Sequence, residues 1–190
     1  MSPLILASVS PQRAQLLAGI GAVFTVVPSS VNEEAVIEAD PAKRAVLLAT
    51  LKAQAVAHLH PQAIVIGCDT LVVSADGTLF EKPIDAADAR RMLKDHSGKT
   101  CVVHSGLCVI DAAGKIHDGL SSSRVTFAEL DDAQMDWWIA GNQWKDRSGG
   151  FQIDGAGQLM IEHIEGDWTS IVGLPVFLLG QLLKKAEYTM

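Results

Sequence analysis

The chain places a helix-capping residue directly before a proline at Ser10-Pro11 and at Asp40-Pro41. A side-chain acceptor at the cap and a proline at the first helical position together mark a helix start. Upstream of the first stands Leu4–Ala7, an unbroken apolar run of the kind a strand shows when both its faces are buried. The spacing predicts a strand at 4–7, a helix over Gln12–Ala18 stopped by the glycines at 19 and 21, and a second strand at Phe24–Val27. A long helix follows from Asp40 to about His58, with Val46, Leu47, Leu51 and Ala55 as its apolar face. Ile64–Gly67 reads as another buried strand that ends in Cys68-Asp69-Thr70. Leu71–Val73 and Thr78–Phe80 flank Asp76-Gly77, a hairpin signal.

Farther along, Asp85 caps a helix to about Lys94. Cys101–Ile110 and Lys115–Phe127 read as long strands about the Ala113-Gly114 turn. Asp131–Ala140 is a short helix whose Trp137 and Trp138 serve packing. A glycine-rich stretch covers 141–157. Leu159–Ile164, a turn at Glu165-Gly166 and a closing helix from Pro175 complete the pattern. The expectation is a single α/β domain over residues 1–190 with a mixed, partly antiparallel sheet.

At 190 residues, 48% hydrophobic and 19% charged, the chain can bury roughly 70% of its unfolded surface, and disorder is excluded. Fifteen Lys and Arg against 22 Asp and Glu leave a net charge of −7. An acidic chain without a basic tract is a poor partner for a nucleic-acid polymer or an anionic membrane. Any phosphate it handles must be met by a few placed cations. The cysteines at 68, 101 and 108 are odd in number, lack CxxC spacing and sit in apolar runs, so they read as buried free thiols. The opening Met-Ser-Pro-Leu-Ile-Leu-Ala lacks a basic start and the apolar length of an export signal. The apolar stretch Ile171–Leu183 is interrupted well short of the ~20 residues of a membrane span. A cytoplasmic location is expected.

Ligands of open α/β sheets gather at the carboxyl ends of strands, and three polar clusters fall there. Ser8, Ser10 and Arg13 join a helix N-terminus to two hydroxyls and a guanidinium, which suits an anion; an ordinary cap with a solvated Arg is the plain alternative. Asp69-Thr70 closes a buried strand, where a carboxylate holds a metal or a proton, or caps a turn. Glu81-Lys82-Pro83 offers a Lys on a stiff loop, or a solvated one. Glu33 and Glu34 are adjacent carboxylates that a metal could neutralise. Lys52 sits mid-helix among Leu and Ala, consistent with snorkelling. Carboxylates, cations and a helix N-terminus together suit phosphoryl chemistry with a divalent metal. No GxxxxGK[ST], strand-linked GxGxxG, GxSxG or HExxH is present.

Leu-Ala-Ser-Val-Ser-Pro-Gln-Arg at 6–13, Asn32-Glu33-Glu34, Leu-Lys-Ala at 51–53 and Val-Ile-Gly-Cys-Asp-Thr at 65–70 resemble the Maf family of nucleotide pyrophosphatases. So do Glu81-Lys82-Pro83, Ser105-Gly106, the run Asp146 to Gly155, Glu165-Gly166-Asp167 and Val172-Gly173-Leu174-Pro175. The resemblance extends from residue 4 to about 185. It implies an elongated fold like that of the inosine-triphosphate pyrophosphatases, with a cleft between two lobes. It also implies hydrolysis of a nucleoside triphosphate between the α and β phosphates, giving the monophosphate and pyrophosphate, in the clearance of non-standard or modified nucleotides. By motif, Asp69 would accept the proton of water and, with Glu33, hold Mg²⁺ or Mn²⁺. Lys52 and Lys82 would grip the triphosphate, and Ser8, Ser10 and Arg13 would bind phosphate. A homodimer is compatible with such folds. The family's association with arrest of septum formation supplies an alternative, a nucleotide-responsive binding protein restraining cell division. A phosphatase would be told apart by its product, orthophosphate.

The chain departs from its resembled relatives where a base would be read. Members preferring dTTP and UTP usually have Arg where Gln12 stands, Lys where Arg147 stands and Gln where Asp154 stands. Members preferring 7-methyl-GTP have Glu at that last position, but Trp in place of Gln12 and Gln in place of Thr70. An amide both donates and accepts, whereas an ionised carboxylate only accepts. Gln12, Thr70 and Asp154 are therefore the expected specificity residues, with a preference displaced from thymine and uracil toward a donor-rich edge such as guanine's.

Overall fold

The computed structural model describes residues 2–188. Strand β1 (Leu4–Leu6) leads into helix α1 (Pro11–Gly19), then β2 (Thr25–Val26), a 3₁₀ turn at Glu33–Ala35 and helix α2 (Pro41–Ala57). Strands β3 (Ile64–Val73) and β4 (Leu79–Phe80) precede helix α3 (Ala86–His96), and β5 (Thr100–Ile110) and β6 (Ile116–Phe127) precede α4 (Asp132–Ala140). The chain ends with β7 (Ile161–Glu165), α5 (Trp168–Val172) and α6 (Val176–Lys185). The capping expectations at Ser10, Asp40 and Asp85 hold, each side chain accepting backbone N–H at a helix start, and Asp131, read as the first residue of its helix, is a cap as well.

One mixed sheet runs in the order β2-β1-β3-β5-β6-β7, with β4 also on β3. Strand β1 is parallel to β2 and β3, and the remaining pairs are antiparallel. Helices α1 and α6 pack against Leu4, Leu6, Ile66 and Leu107 on one face. The small residues of α2 pack against Ile5, Val65 and Cys108 on the other. The far halves of β3, β5 and β6 carry a separate core with α3, α4, Trp138, Phe127 and Phe151. These two bodies of packing are the expected lobes. All three cysteines are free and buried. No helix among the described residues is long and apolar enough to cross a membrane.

Two expectations need correction. The predicted strands Ile64–Gly67 and Leu71–Val73 are one ten-residue strand, so Asp69 lies within a strand and not at its carboxyl end. The polar residue is tolerated because β5 and β4 continue the ladder past it. Helix α2 buries Ala45, Leu48, Ala49, Lys52, Ala53 and Val56, and the predicted face of Val46, Leu47, Leu51 and Ala55 is not its buried one: Leu47 is 39% exposed and the other three are only partly buried. The cause is close approach. A Cβ on Gly67 would stand 2.1 Å from the Ala49 carbonyl oxygen, and one on Gly106 would stand 2.2 Å from that of Ala45. A helix lying this low on a sheet must present alanines at its points of closest approach. Helix α5, between the predicted turn and the closing helix, was not expected; Asp167 caps it through the Thr169 N–H at 2.8 Å.

Candidate active site

The low seat of α2 aims Lys52 at the sheet. Its Nζ lies 2.6 Å from Asp69 Oδ1 and 2.8 Å from Glu33 Oε1. Lys52 is therefore no snorkelling side chain: it is 6% exposed, and Asp69 is 4% exposed. An ammonium set between two carboxylates fixes the position of both. Asp69 Oδ2 is buried with no hydrogen-bond partner among the described residues. Glu33, from the 3₁₀ turn, is half-exposed. The three residues open into a cavity of about 1070 Å³ between the lobes, which Glu34, Lys82, Arg147 and Asp154 also line.

An orphaned carboxylate oxygen in a cleft is a vacant acceptor, suited to a water proton or a hard cation. Among the described residues no group of three or more His, Cys, Asp or Glu side chains forms a metal cage. A divalent ion would thus take Asp69 and Glu33 and complete its shell with water and a ligand's phosphates, as Mg²⁺ commonly does. The residues fit that group.

Ser8, Ser10 and Arg13 meet at the start of α1, but Arg13 already has protein partners. Its Nε donates to the Gly173 carbonyl at 2.9 Å, and its two terminal nitrogens donate to Ser8 Oγ at 3.2 Å and Thr70 Oγ1 at 3.3 Å. Thr70 Oγ1 continues to Ser105 Oγ at 2.9 Å, which donates to the Ser170 carbonyl at 2.7 Å. Arg13 is thereby a strut between α1, β3 and the end of α5, with part of its fork still open to a ligand. Cys68, beside Asp69, donates its thiol to the Gly173 carbonyl at 3.0 Å. Burial pushes this thiol's pKa up, so it stays protonated and is no nucleophile.

The remaining expected residues line the same cleft. Lys82 is exposed on its rim. Gln12 reaches back to the Ser10 hydroxyl at 3.4 Å. Asp154 is partly buried, and its backbone carbonyl accepts the Gln152 amide at 2.9 Å, while Arg147 Nε donates to Gln152 Oε1 at 3.2 Å. Sequence reasoning missed Arg44, which lines the cavity from α2 beside Leu48 and Lys52. The signal was available, since spacings of four and eight residues share a helix face.

Comparisons with known proteins bear on the family and the fold. Residues 3–186 match the family described as Maf-like protein. The "dTTP/UTP pyrophosphatase" of Deinococcus radiodurans is 44% identical over 96% of this chain and 92% of its own length. The protein of the same name from Pyrococcus furiosus is 40% identical over 97% of this chain and 95% of its own. The solved structure of a HAM1 protein from Coxiella burnetii, only 10% identical, shares the fold with a TM-score of 0.51, covering 97% of this chain and all of that one. With the family match spanning nearly the whole chain, and its motifs converging on one cleft, the chain belongs to the Maf-like protein family.

Proposed function

We propose that the protein hydrolyses a nucleoside triphosphate between its α and β phosphates, releasing the monophosphate and pyrophosphate. The observation that carries this reading is Lys52 locked between Asp69 and Glu33, with Asp69 Oδ2 left without a partner in the cleft. Asp69 Oδ2 accepts the proton of the attacking water while Lys52 keeps the other carboxylate oxygen in place, so the base cannot rotate away. Lys52 and Lys82 offset the negative charge that passes to the leaving pyrophosphate. The backbone N–H groups at the start of α1, with the Ser8 and Ser10 hydroxyls, hold a phosphate. Asp69 and Glu33 would hold Mg²⁺ or Mn²⁺, which when bound lowers the pKa of water and shields phosphate charge.

The similarity to proteins named dTTP/UTP pyrophosphatase supports the reaction class. At the base, Asp154 lines the cleft with a side chain that, as a carboxylate, only accepts, and Gln12 and Thr70 line the same cavity. A base edge with paired donors, such as guanine's, suits Asp154 better than thymine or uracil.

The test is hydrolysis of a nucleotide panel with Mg²⁺ or Mn²⁺ and with chelator, products being separated by chromatography. Monophosphate plus pyrophosphate is expected from the wild type, with Asp69→Asn slower by roughly 10²–10⁴-fold and Asp154→Gln using dTTP and UTP better. Orthophosphate as the first product would overturn the reaction assigned, and an unchanged base ranking in Asp154→Gln would overturn the role of that residue.

A further inference from the structure

Helix α2 lines the cleft with one stripe, Arg44, Leu48 and Lys52. Arg44 stands two turns before Lys52, about 12 Å along the helix axis. Its side chain is 18% exposed. Its Nε is buried with no hydrogen-bond partner among the described residues. Its one ionic neighbour among the described residues is Glu81, with a terminal nitrogen 3.6 Å from Oε1, beyond hydrogen-bond range; Glu81 is itself 65% exposed. A guanidinium never loses its charge. This one is drawn out of water with neither a short ion pair nor a satisfied Nε, and that state is costly until an acceptor arrives.

The other cations of the cleft are differently placed. Arg13 is bonded to Gly173, Ser8 and Thr70, Lys52 to Asp69 and Glu33, and Arg147 to Gln152. Arg44 and Lys82 are the two lining cations for which no hydrogen bond is seen among the described residues. Both line the same cavity, and Glu81, the chain neighbour of Lys82, is also the ionic neighbour of Arg44. The Glu81 carbonyl in turn accepts the Gly149 N–H at 3.1 Å, tying this rim to the second lobe. Two uncommitted cations facing one space suit the most highly charged part of a ligand, and a guanidinium fork matches two phosphate oxygens at once.

We propose that Arg44 is a substrate-binding residue which, with Lys82, holds the phosphates that leave as pyrophosphate, and that Glu81 occupies its fork until they bind. The assignment rests on the pyrophosphatase reading above. In the ligand-free cleft Glu81 steadies the fork; on binding it swings toward solvent and the phosphate oxygens replace it. The fork therefore contributes to grip on the pyrophosphate half and leaves the nucleoside half untouched.

The experiment is calorimetric titration of inorganic pyrophosphate, and separately of UMP and GMP, into wild type, Arg44→Gln, Arg44→Lys and Glu81→Gln, alongside KM and kcat. Arg44→Gln is expected to weaken pyrophosphate binding at least tenfold and to raise KM by a similar factor, with monophosphate affinities unchanged within twofold. Arg44→Lys restores part of the loss, and Glu81→Gln tightens pyrophosphate by removing its competitor. Pyrophosphate affinity unchanged in Arg44→Gln, or monophosphates weakened as much as pyrophosphate, overturns the assignment. If the wild type releases no pyrophosphate yet binds it in an Arg44-dependent way, the reaction reading falls and the anion-holding role of Arg44 stands.

Discussion

Replacing Lys52 with Met tests the central ion cluster. The substitution keeps most of the buried methylene volume and removes the charge that faces Asp69 at 2.6 Å and Glu33 at 2.8 Å. Glu33 is half-exposed and regains water, so its share of the effect is small. Asp69 is 4% exposed and regains far less. Its Oδ1 then joins Oδ2 as a buried carboxylate oxygen stripped of its only side-chain partner. Breaking a buried pair from one side costs about 3–5 kcal/mol. For a chain of this length that is a fall in Tm of roughly 6–20 °C. In the double variant Lys52→Met, Asp69→Asn no charge is left buried, and most of the lost stability returns, giving a coupling energy well above the ~0.5 kcal/mol of independent sites. Urea and thermal unfolding of the four proteins, followed by circular dichroism, read the cycle directly. A double variant no more stable than Lys52→Met would refute the reasoning, because the loss would then come from packing and not from an abandoned charge.

His96 is 1% exposed, stacks on Phe127 at 4.6 Å and has Nε2 3.2 Å from the Gly149 carbonyl. Burial depresses its pKa to about 4, so the folded protein keeps the ring neutral while the unfolded chain takes a proton below about 6.5. Stability from this residue is complete above that value and falls as pH drops toward 4, by about 3 kcal/mol in all. Wild type should therefore lose stability relative to His96→Phe between pH 6.5 and 4, and parallel urea midpoints would contradict this. Gly106→Ala would place a Cβ 2.2 Å from the Ala45 carbonyl and 2.4 Å from the Val46 nitrogen. Helix α2 must lift to admit it, at about 1–3 kcal/mol, and carry Lys52 off Asp69. Turnover should fall by on the order of 10²-fold, and full activity at normal stability would show that the helix has room.

Much of this protein was legible before folding. Ser10, Asp40, Asp85 and Asp131 announce their helices because a cap bonds to backbone only two or three residues away. The Asp76-Gly77 turn and the three unpaired cysteines are read from equally local chemistry. The ordered motifs carry the family, and they name Asp69, Glu33, Lys52 and Lys82 as a set without saying how they touch. The apolar count of α2 misleads, since its leucines outweigh its alanines in hydrophobicity while alanines make its closest approach to the sheet.

What the tertiary structure alone decided is who meets whom. Lys52 and Asp69 stand 17 residues apart in the chain, Arg13 and Gly173 stand 160 apart, and Arg44 has no motif of its own. Such pairs depend on which face of a helix is buried and how closely it lies on the sheet. That depth is set at Gly67 and Gly106, whose missing Cβ atoms matter only once α2 is above them. Caps, turns and the inventory of charges are properties of neighbours along the chain. The lysine held between two carboxylates, and the guanidinium whose Nε has no hydrogen-bond partner among the described residues, are properties of surfaces brought together by packing.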